Sequence, residues 1–89
     1  MAAVNVSYEI RVNWDDEAEV WVAESDDVPG LIAEGDSRAK LTEKLAELVP
    51  ELLEANNVTS DSQAPIDLVI HFSREAEQRE ERIRLSKAA

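Results

Sequence analysis

Most side chains that could do chemistry in this chain are carboxylates, and they are concentrated in one segment. Residues 14–36 contain nine Asp and Glu residues and neither Lys nor Arg. One interpretation is a solvated hairpin that keeps a small protein soluble, and another is an acidic face that steers a basic partner protein. Asp15, Asp16, Asp26 and Asp27 could supply oxygen ligands to a metal ion. The segment lacks the spacing and central glycine of a calcium loop, so we expect no metal site.

The remaining composition disfavours most classes of enzyme. The chain has one histidine, His71, two glycines and no cysteine, which excludes disulfides, thiolate metal sites and a cysteine nucleophile. A single histidine in a strand is usually a surface residue rather than a general base. The net charge of −11 would repel a phosphate backbone, so we expect no direct nucleic-acid binding. Apolar runs are too short for a membrane span or a signal peptide, which predicts a cytoplasmic protein without membrane contact.

Four segments have the pattern of strands. Residues 4–14 alternate apolar and polar side chains, and residues 18–25, 31–35 and 66–72 are shorter segments of the same kind. In the last of these, the predicted inward-facing residues are Ile66, Leu68, Ile70 and Phe72.

One segment has the period of a helix. Leu41, Leu45, Leu48 and Leu52 follow the spacing of one helical face, which Val49 and Leu53 widen. Asp36 or Ser37 is the expected N-cap, and Asn56-Asn57 the expected end. Pro50 lies inside the pattern and lacks a backbone N–H, which predicts a kink or a break into two helices.

The order β-β-β-α-β in 89 residues predicts one small α/β (α+β) domain. A helix between the third and fourth strands makes them parallel, and a right-handed crossover favours the sheet order 3-2-1-4 with the helix on one face. This two-layer sandwich corresponds to the first half of a ribonuclease H-like fold. We expect this domain over 1–73, followed by a polar, charged tail over 74–89. The tail pattern fits a solvated helix, disorder or a short edge strand around Ile83 and Leu85.

A ribonuclease H site would need carboxylates on the first strand, the helix and the fourth strand. Glu9, Glu43 or Glu47, and Asp67 are the candidates. The alternation puts Glu9 opposite the buried face and the helix acids toward water, whereas two-metal chemistry needs them to converge around ions about 4 Å apart. We therefore expect no catalytic residue, no cofactor and no enzyme activity.

Trp21 is the apolar residue that the pattern leaves without a core position. With Val20 and Val22 assigned to the core, Trp21 and Ala23 fall on the helix-free face, beside Val69 and His71 of the fourth strand. Ile32 is a further candidate neighbour of Trp21 there. Because an apolar patch on an open sheet usually marks an interface, we expect a homodimer through Trp21, Ala23, Val69 and His71.

Several motifs resemble those of the HicB-like antitoxins. They are a D-x-P-G-L turn formed by Asp27, Pro29, Gly30 and Leu31, an E-G-D step at residues 34–36, and the leucine helix. The sequence is most similar to a short, uncharacterised branch with the motifs W-D-x-E-A, W-V-A-x-S-D-D-V-P-G-L and V-P-E-L-L-E-A-N. These motifs occupy residues 14–18, 21–31 and 49–56, and the resemblance covers residues 6–72.

The resemblance implies a partial ribonuclease H fold without catalytic acids, and an antitoxin that binds a small basic RNA-cleaving toxin. Full-length members add a C-terminal DNA-binding module, for which the tail here is too short. From the charge pattern, we expect the partner to bind at the C-terminal end of the second strand. Proline and glycine stiffen the turn there, which lowers the entropy cost of ordering it on binding. The expected partner-binding residues are Asp26, Asp27, Pro29, Gly30 and Asp36. The alternative is a self-associating sensor or assembly module without a toxin partner.

Overall fold

Six elements make up the computed structural model, which describes residues 6–56 and 65–85. They are β1 (Val6–Asp15), β2 (Val20–Glu24), β3 (Ile32–Gly35), α1 (Arg38–Ala55), β4 (Ile66–Arg74) and β5 (Glu77–Leu85). The strands form one sheet in the order β3-β2-β1-β4-β5, with α1 on one face. No helix within the described ranges is long and apolar enough to cross a membrane.

The sheet confirms the predicted topology and adds one strand. β1 pairs in parallel with β4 at the centre, and β2 pairs in antiparallel fashion with both β1 and β3. The order 3-2-1-4 is therefore correct. β5 pairs along its whole length with β4, so of the alternatives for the tail, the edge strand is the one observed. Its side chains are mostly exposed, because one neighbouring strand provides the backbone hydrogen bonds without a buried face.

The core lies between the sheet and α1. Its strand residues include Tyr8, Ile10 and Val12 of β1 and, as predicted, alternate residues of β4: Ile66, Leu68, Ile70 and Phe72. From the helix, Leu41, Leu45, Val49 and Leu53 are fully buried, while Leu48 and Leu52 are partly buried at the side of the stripe. Side chains spaced by about one helical turn thus meet the alternating face of the strands.

The helix begins and ends where its sequence predicts, but Pro50 does not divide it. The Ser37 hydroxyl accepts a hydrogen bond from the Lys40 N–H at 3.1 Å, and Asn56 is the C-cap. Asn57 lies outside the described residues. The predicted break at Pro50 is wrong, since α1 is continuous from Arg38 to Ala55. Val49 and Leu53, on either side of the proline, are buried against the sheet, and this packing offsets the lost hydrogen bond.

The two faces of β2 are the reverse of those predicted. Trp21 lies opposite Trp14, and Ala23 lies opposite Val12, so Trp21 and Ala23 are on the helix-covered face. Val20 and Val22 therefore lie on the helix-free face. The sequence interpretation placed the two valines inward by apolarity alone, but the register is set by pairing with β1 and β3. Ala33 and Gly35 of β3 lie opposite Ala23 and Trp21, where small side chains fit under the helix.

Gly35 allows the helix to start directly above β3. A Cβ at this position would lie 3.0 Å from the backbone nitrogen and 3.1 Å from the Cα of Leu41. These backbone atoms cannot move aside without displacing the first turn of α1. The glycine of the E-G-D motif is therefore needed for close packing of β3 against α1.

Candidate interaction surfaces

The predicted partner-binding turn is tied to the sheet by two of its side chains. Asp27 Oδ2 accepts a hydrogen bond from the Glu9 N–H at 2.8 Å, and the Ser25 hydroxyl donates to the Glu9 carbonyl at 2.5 Å. Ser25 Oγ also accepts from the N–H of Asp27 at 3.0 Å. Asp27 thus has a structural role that the sequence interpretation did not assign to it.

Asp26 projects from the same turn toward β1. Its carboxylate accepts a hydrogen bond from Arg11 Nη1 at 2.9 Å, and Arg11 also lies 3.5 Å from Glu24. The side-chain hydrogen bond from Arg11, together with its charge, holds the pKa of Asp26 below its usual value. With a side chain that is 85% exposed, Asp26 remains accessible to a partner.

Pro29 and Gly30 lie next to the C-terminal end of α1. The Pro29 carbonyl accepts a hydrogen bond from Asn56 Nδ2 at 3.5 Å. Gly30 has a φ of +80°, a conformation that favours glycine, and a Cβ there would approach Leu52 at 3.8 Å. The turn is therefore held by the helix as well as by β1.

Asp36 does not lie with the other predicted partner-binding residues. β3 runs back antiparallel to β2, so its last residue, Gly35, lies opposite Trp21 near the beginning of β2. Asp36 follows Gly35 at the N-terminal end of α1, where it lies 3.5 Å from Lys40. The expectation that Asp36 and the turn at residues 26–30 share one end of the sheet is wrong, because β3 separates them.

The four residues predicted for a dimer interface are divided between the two faces of the sheet. Ala23 is fully buried under α1, and Trp21 packs edge-on against Trp14 and Phe72, with centroid distances of 5.2 and 5.5 Å. Val69 and His71 lie on the helix-free face. Val69 is nonetheless buried there, so the predicted apolar patch of Trp21, Ala23 and Val69 does not form.

His71 belongs to a charged row across the helix-free face. Its Nε2 lies 2.9 Å from Glu9 Oε1, and its Nδ1 lies 3.8 Å from Glu80 Oε1. On the same face of β4, beyond Val69, Asp67 accepts a hydrogen bond from Arg84 Nε at 2.8 Å. That hydrogen bond holds the pKa of Asp67 below its usual value. Polar and charged side chains of β1, β4 and β5 thus occupy this face around the buried Val69.

The carboxylates considered for nuclease chemistry lie in different layers. Glu9 and Asp67 are on the helix-free face of the sheet, whereas Glu43 and Glu47 belong to α1 on the other face. Within residues 6–56 and 65–85, no group of three or more His, Cys, Asp or Glu side chains could hold a metal ion.

The helix-free face of β2 and β3 has a different character, which we call the Ile32 surface. It consists of Val22, Glu24, Ile32 and Glu34, in which Ile32 lies opposite Glu24 and Val22 opposite Glu34. Ile32 is 81% exposed, and it is the one large hydrophobic residue that is exposed in the described part of the chain. The two glutamates beside it are also exposed.

Sequence reasoning considered Ile32 only as a neighbour of Trp21 and did not include it among the predicted interface residues. A signal was present in the segment Leu31-Ile32-Ala33, since a strand cannot bury three successive side chains on one face. Leu31 and Ala33 are buried, so Ile32 must face the other way.

The comparisons with known proteins give a family. Residues 7–81 match the family described as Domain of unknown function (DUF1902), which is most of the chain. The chain belongs to the DUF1902 family. It is also similar to a hypothetical protein from the extremely thermophilic bacterium Thermus thermophilus, known from a crystal structure, with 44% identity and a TM-score of 0.71. The similarity covers 81% of this DUF1902 chain and 99% of the other. A comparison with curated proteins finds no match.

Proposed function

We propose that this DUF1902 protein is a non-catalytic interaction domain of the HicB-like antitoxin type, and that its Ile32 surface binds a small basic protein. The observation that carries the proposal is an exposed isoleucine with two exposed glutamates beside it, Glu24 on the neighbouring strand and Glu34 two residues further along β3. Apolar contact at the centre and charge at the rim is the usual arrangement of a protein interface.

Charge supports a basic partner rather than an acidic or neutral one. The chain carries 20 acidic and 9 basic residues. Asp26 lies near the Ile32 surface, since Arg11 contacts both Asp26 and Glu24. An acidic face of this kind accelerates association with a positively charged partner and gives it an orientation. A basic RNA-cleaving toxin of the kind that HicB-like antitoxins neutralise has the required charge. The Ile32 surface would cover the RNA-binding surface of such a toxin and so block its substrate.

The experiment is a salt titration of association rates with any small basic protein that a neighbouring gene encodes, co-expressed and purified. Glu34→Lys is expected to slow association about tenfold at low salt, with the difference fading as salt rises. Glu51→Lys, an equal charge change on an exposed residue of α1, is the matched control and is expected to have a smaller effect. Ile32→Glu is expected to speed dissociation at every salt concentration, because the apolar centre is lost.

Two outcomes would contradict the proposal. The first is absence of a complex between the wild-type chain and the neighbouring basic protein. The second is a complex that Ile32→Glu and Glu34→Lys leave unchanged.

Self-association is the second candidate, since β3, the strand that contains Ile32, is at the edge of the sheet. The structure favours it less, because Lys44 Nζ donates a hydrogen bond to the Glu34 carbonyl at 2.6 Å and so occupies part of that edge. Sedimentation of the wild type and of Ile32→Glu at about 100 μM distinguishes self-association from binding of a basic protein. A high protein concentration is needed because a weak oligomer dissociates on dilution. A wild-type oligomer that Ile32→Glu dissociates would favour self-association.

A further inference from the structure

Three arginines converge at the end of the sheet where α1 begins. Arg38, Arg74 and Arg79 line a cavity of about 410 Å³, which Trp21 and Phe72 also line. We call this cavity the arginine pocket. Arg38 begins the helix, Arg74 ends β4, and Arg79 lies opposite Phe72 on β5, so three separate elements contribute the charges.

Two of these guanidinium groups lie over aromatic rings. The Cζ of Arg74 lies 4.3 Å from the ring centroid of Trp14, and the Cζ of Arg38 lies 5.9 Å from that of Phe72. Trp21 contacts both Trp14 and Phe72 edge to face. A cation over an aromatic face is stabilised without being neutralised, and it keeps N–H donors for another ligand.

Most other cations of residues 6–56 and 65–85 have a carboxylate partner; Lys44, which has none, instead donates a hydrogen bond to the Glu34 carbonyl. Arg11, Lys40, Arg82 and Arg84 each have a carboxylate within 4.0 Å. In residues 6–56 and 65–85, Arg38, Arg74 and Arg79 have none, although Glu77 is among the residues that line the pocket. The net charge of the chain is −11. The arginine pocket, lined by three cations without such an ion pair, therefore has a positive electrostatic potential that contrasts with the rest of the surface.

We propose that the arginine pocket binds a small organic phosphate monoester. The phosphate group carries nearly two negative charges at neutral pH and accepts paired hydrogen bonds from guanidinium groups, so it matches three arginines better than a single carboxylate does. The 18-residue helix α1 begins at the same end and contributes the positive end of its dipole.

The size and surroundings of the pocket indicate more than an inorganic anion. A volume of about 410 Å³ falls in the range of small-molecule sites and exceeds what phosphate alone would fill. Trp21 gives the remainder of the ligand an apolar contact. The acidic body of the chain opposes a long phosphate backbone, which favours a free monoester over the end of an RNA strand.

Intrinsic fluorescence tests this site directly, because both tryptophans of the chain, Trp14 and Trp21, lie in the aromatic cluster beneath it. The probes are AMP, inorganic phosphate, adenosine and a short 5′-phosphorylated RNA. We expect AMP to give a saturable change in fluorescence, with weaker binding by phosphate, adenosine and the RNA.

Arg79→Gln is the test variant and Arg82→Gln its matched control. Both remove one positive charge from β5, but Arg79 lies opposite Phe72 on the pocket side, whereas Arg82 lies opposite Val69 on the helix-free face. Arg79→Gln is expected to weaken AMP binding about tenfold, as loss of a charge-assisted hydrogen bond does, and Arg82→Gln to leave it nearly unchanged. Circular dichroism would verify that both variants fold.

Each of four results would overturn the proposal. They are no AMP binding at millimolar concentration, equal binding of adenosine or inorganic phosphate, tighter binding of the RNA, and equal weakening by the two variants. The proposal stands apart from the Ile32 surface, since Arg79→Gln is expected to leave association with the basic protein intact.

Discussion

The Ile32 surface and the arginine pocket lie on opposite faces of one sheet and use charge in different ways. At the Ile32 surface, glutamates surround an exposed apolar side chain at the edge strand β3. At the arginine pocket, guanidinium groups lie over the rings of Trp14 and Phe72. The partly buried Trp21 links these two rings, and Phe72 is a core residue. The first surface can therefore change without loss of stability, whereas changes beneath the second affect binding and folding together.

The largest predicted contrast is between two substitutions by alanine. Trp21→Ala removes the ring that joins Trp14 to Phe72, and we expect it to lower the free energy of unfolding by about 2–4 kcal/mol. Ile32→Ala, at a side chain that is 81% exposed, is expected to change it by less than about 0.5 kcal/mol. Urea unfolding of both variants measures the difference. Equal losses would show that the two regions are not distinct in packing.

A smaller contrast separates neighbouring residues of one turn. Asp27→Ala leaves the Glu9 N–H without its side-chain acceptor, and we expect a loss of about 1–2 kcal/mol. Asp26→Ala removes an exposed ion pair with Arg11 and is expected to have a smaller effect. Denaturant unfolding at pH 7 measures both variants. A larger loss of unfolding free energy for Asp26→Ala than for Asp27→Ala would contradict the structural role that we assign to Asp27.

Acid unfolding provides a third comparison. The pKa of Asp67 is lowered in the folded state by the hydrogen bond from Arg84, so its stabilising effect is present above its unfolded pKa of about 4 and is lost as the pH falls through the folded value. Asp67→Asn should therefore flatten the decline in stability below about pH 4. Asp26→Asn should flatten it less, because the Asp26 side chain is 85% exposed and that of Asp67 is 24% exposed. Urea titrations from pH 2 to 7 would measure these slopes, and unchanged slopes would contradict the prediction.

The smallest expected effect concerns the ion pair between Asp36, which precedes the N-cap of α1, and Lys40 in the first turn of that helix. Both side chains are about two thirds exposed, so Lys40→Ala is expected to change the free energy of unfolding by less than about 0.5 kcal/mol. Thermal unfolding at low and high salt would measure it. A loss above that figure would show that the first turn of α1 depends on this pair.

Sequence patterns predicted the elements whose burial is one-sided and repetitive. The alternation in β1 and β4 and the leucine spacing of α1 correspond to the observed core, because a long periodic segment leaves one consistent face to bury. β2 has five residues with apolar side chains on both faces, so periodicity could not choose between them. Its orientation depends on partners far along the chain, above all Gly35 and Ala33.

The two surfaces were harder to predict than the fold. Arg74 and Arg79 belonged to a segment that the sequence divides from the domain, and their proximity to Arg38 depends on the β4–β5 pairing. Charged edge strands carry little periodic signal, since their stability comes from backbone pairing. The turn at residues 26–30 was predicted correctly as a turn, but the structural hydrogen bond of Asp27 follows from tertiary contact with β1.

The turn that holds Ser25 and Asp27 also protects the sheet from unwanted strand addition. β1 has ten residues, but β2 pairs only with residues 11–15 of β1. The backbone of the first half of β1 therefore has no neighbouring strand on the β2 side. Ser25 and Asp27 occupy the carbonyl and N–H of Glu9 there. Without them, an extended peptide from another molecule could pair with β1 inside the sheet, a common route to aggregation. Two short polar side chains thus close an opening that a longer β2 would otherwise have to fill.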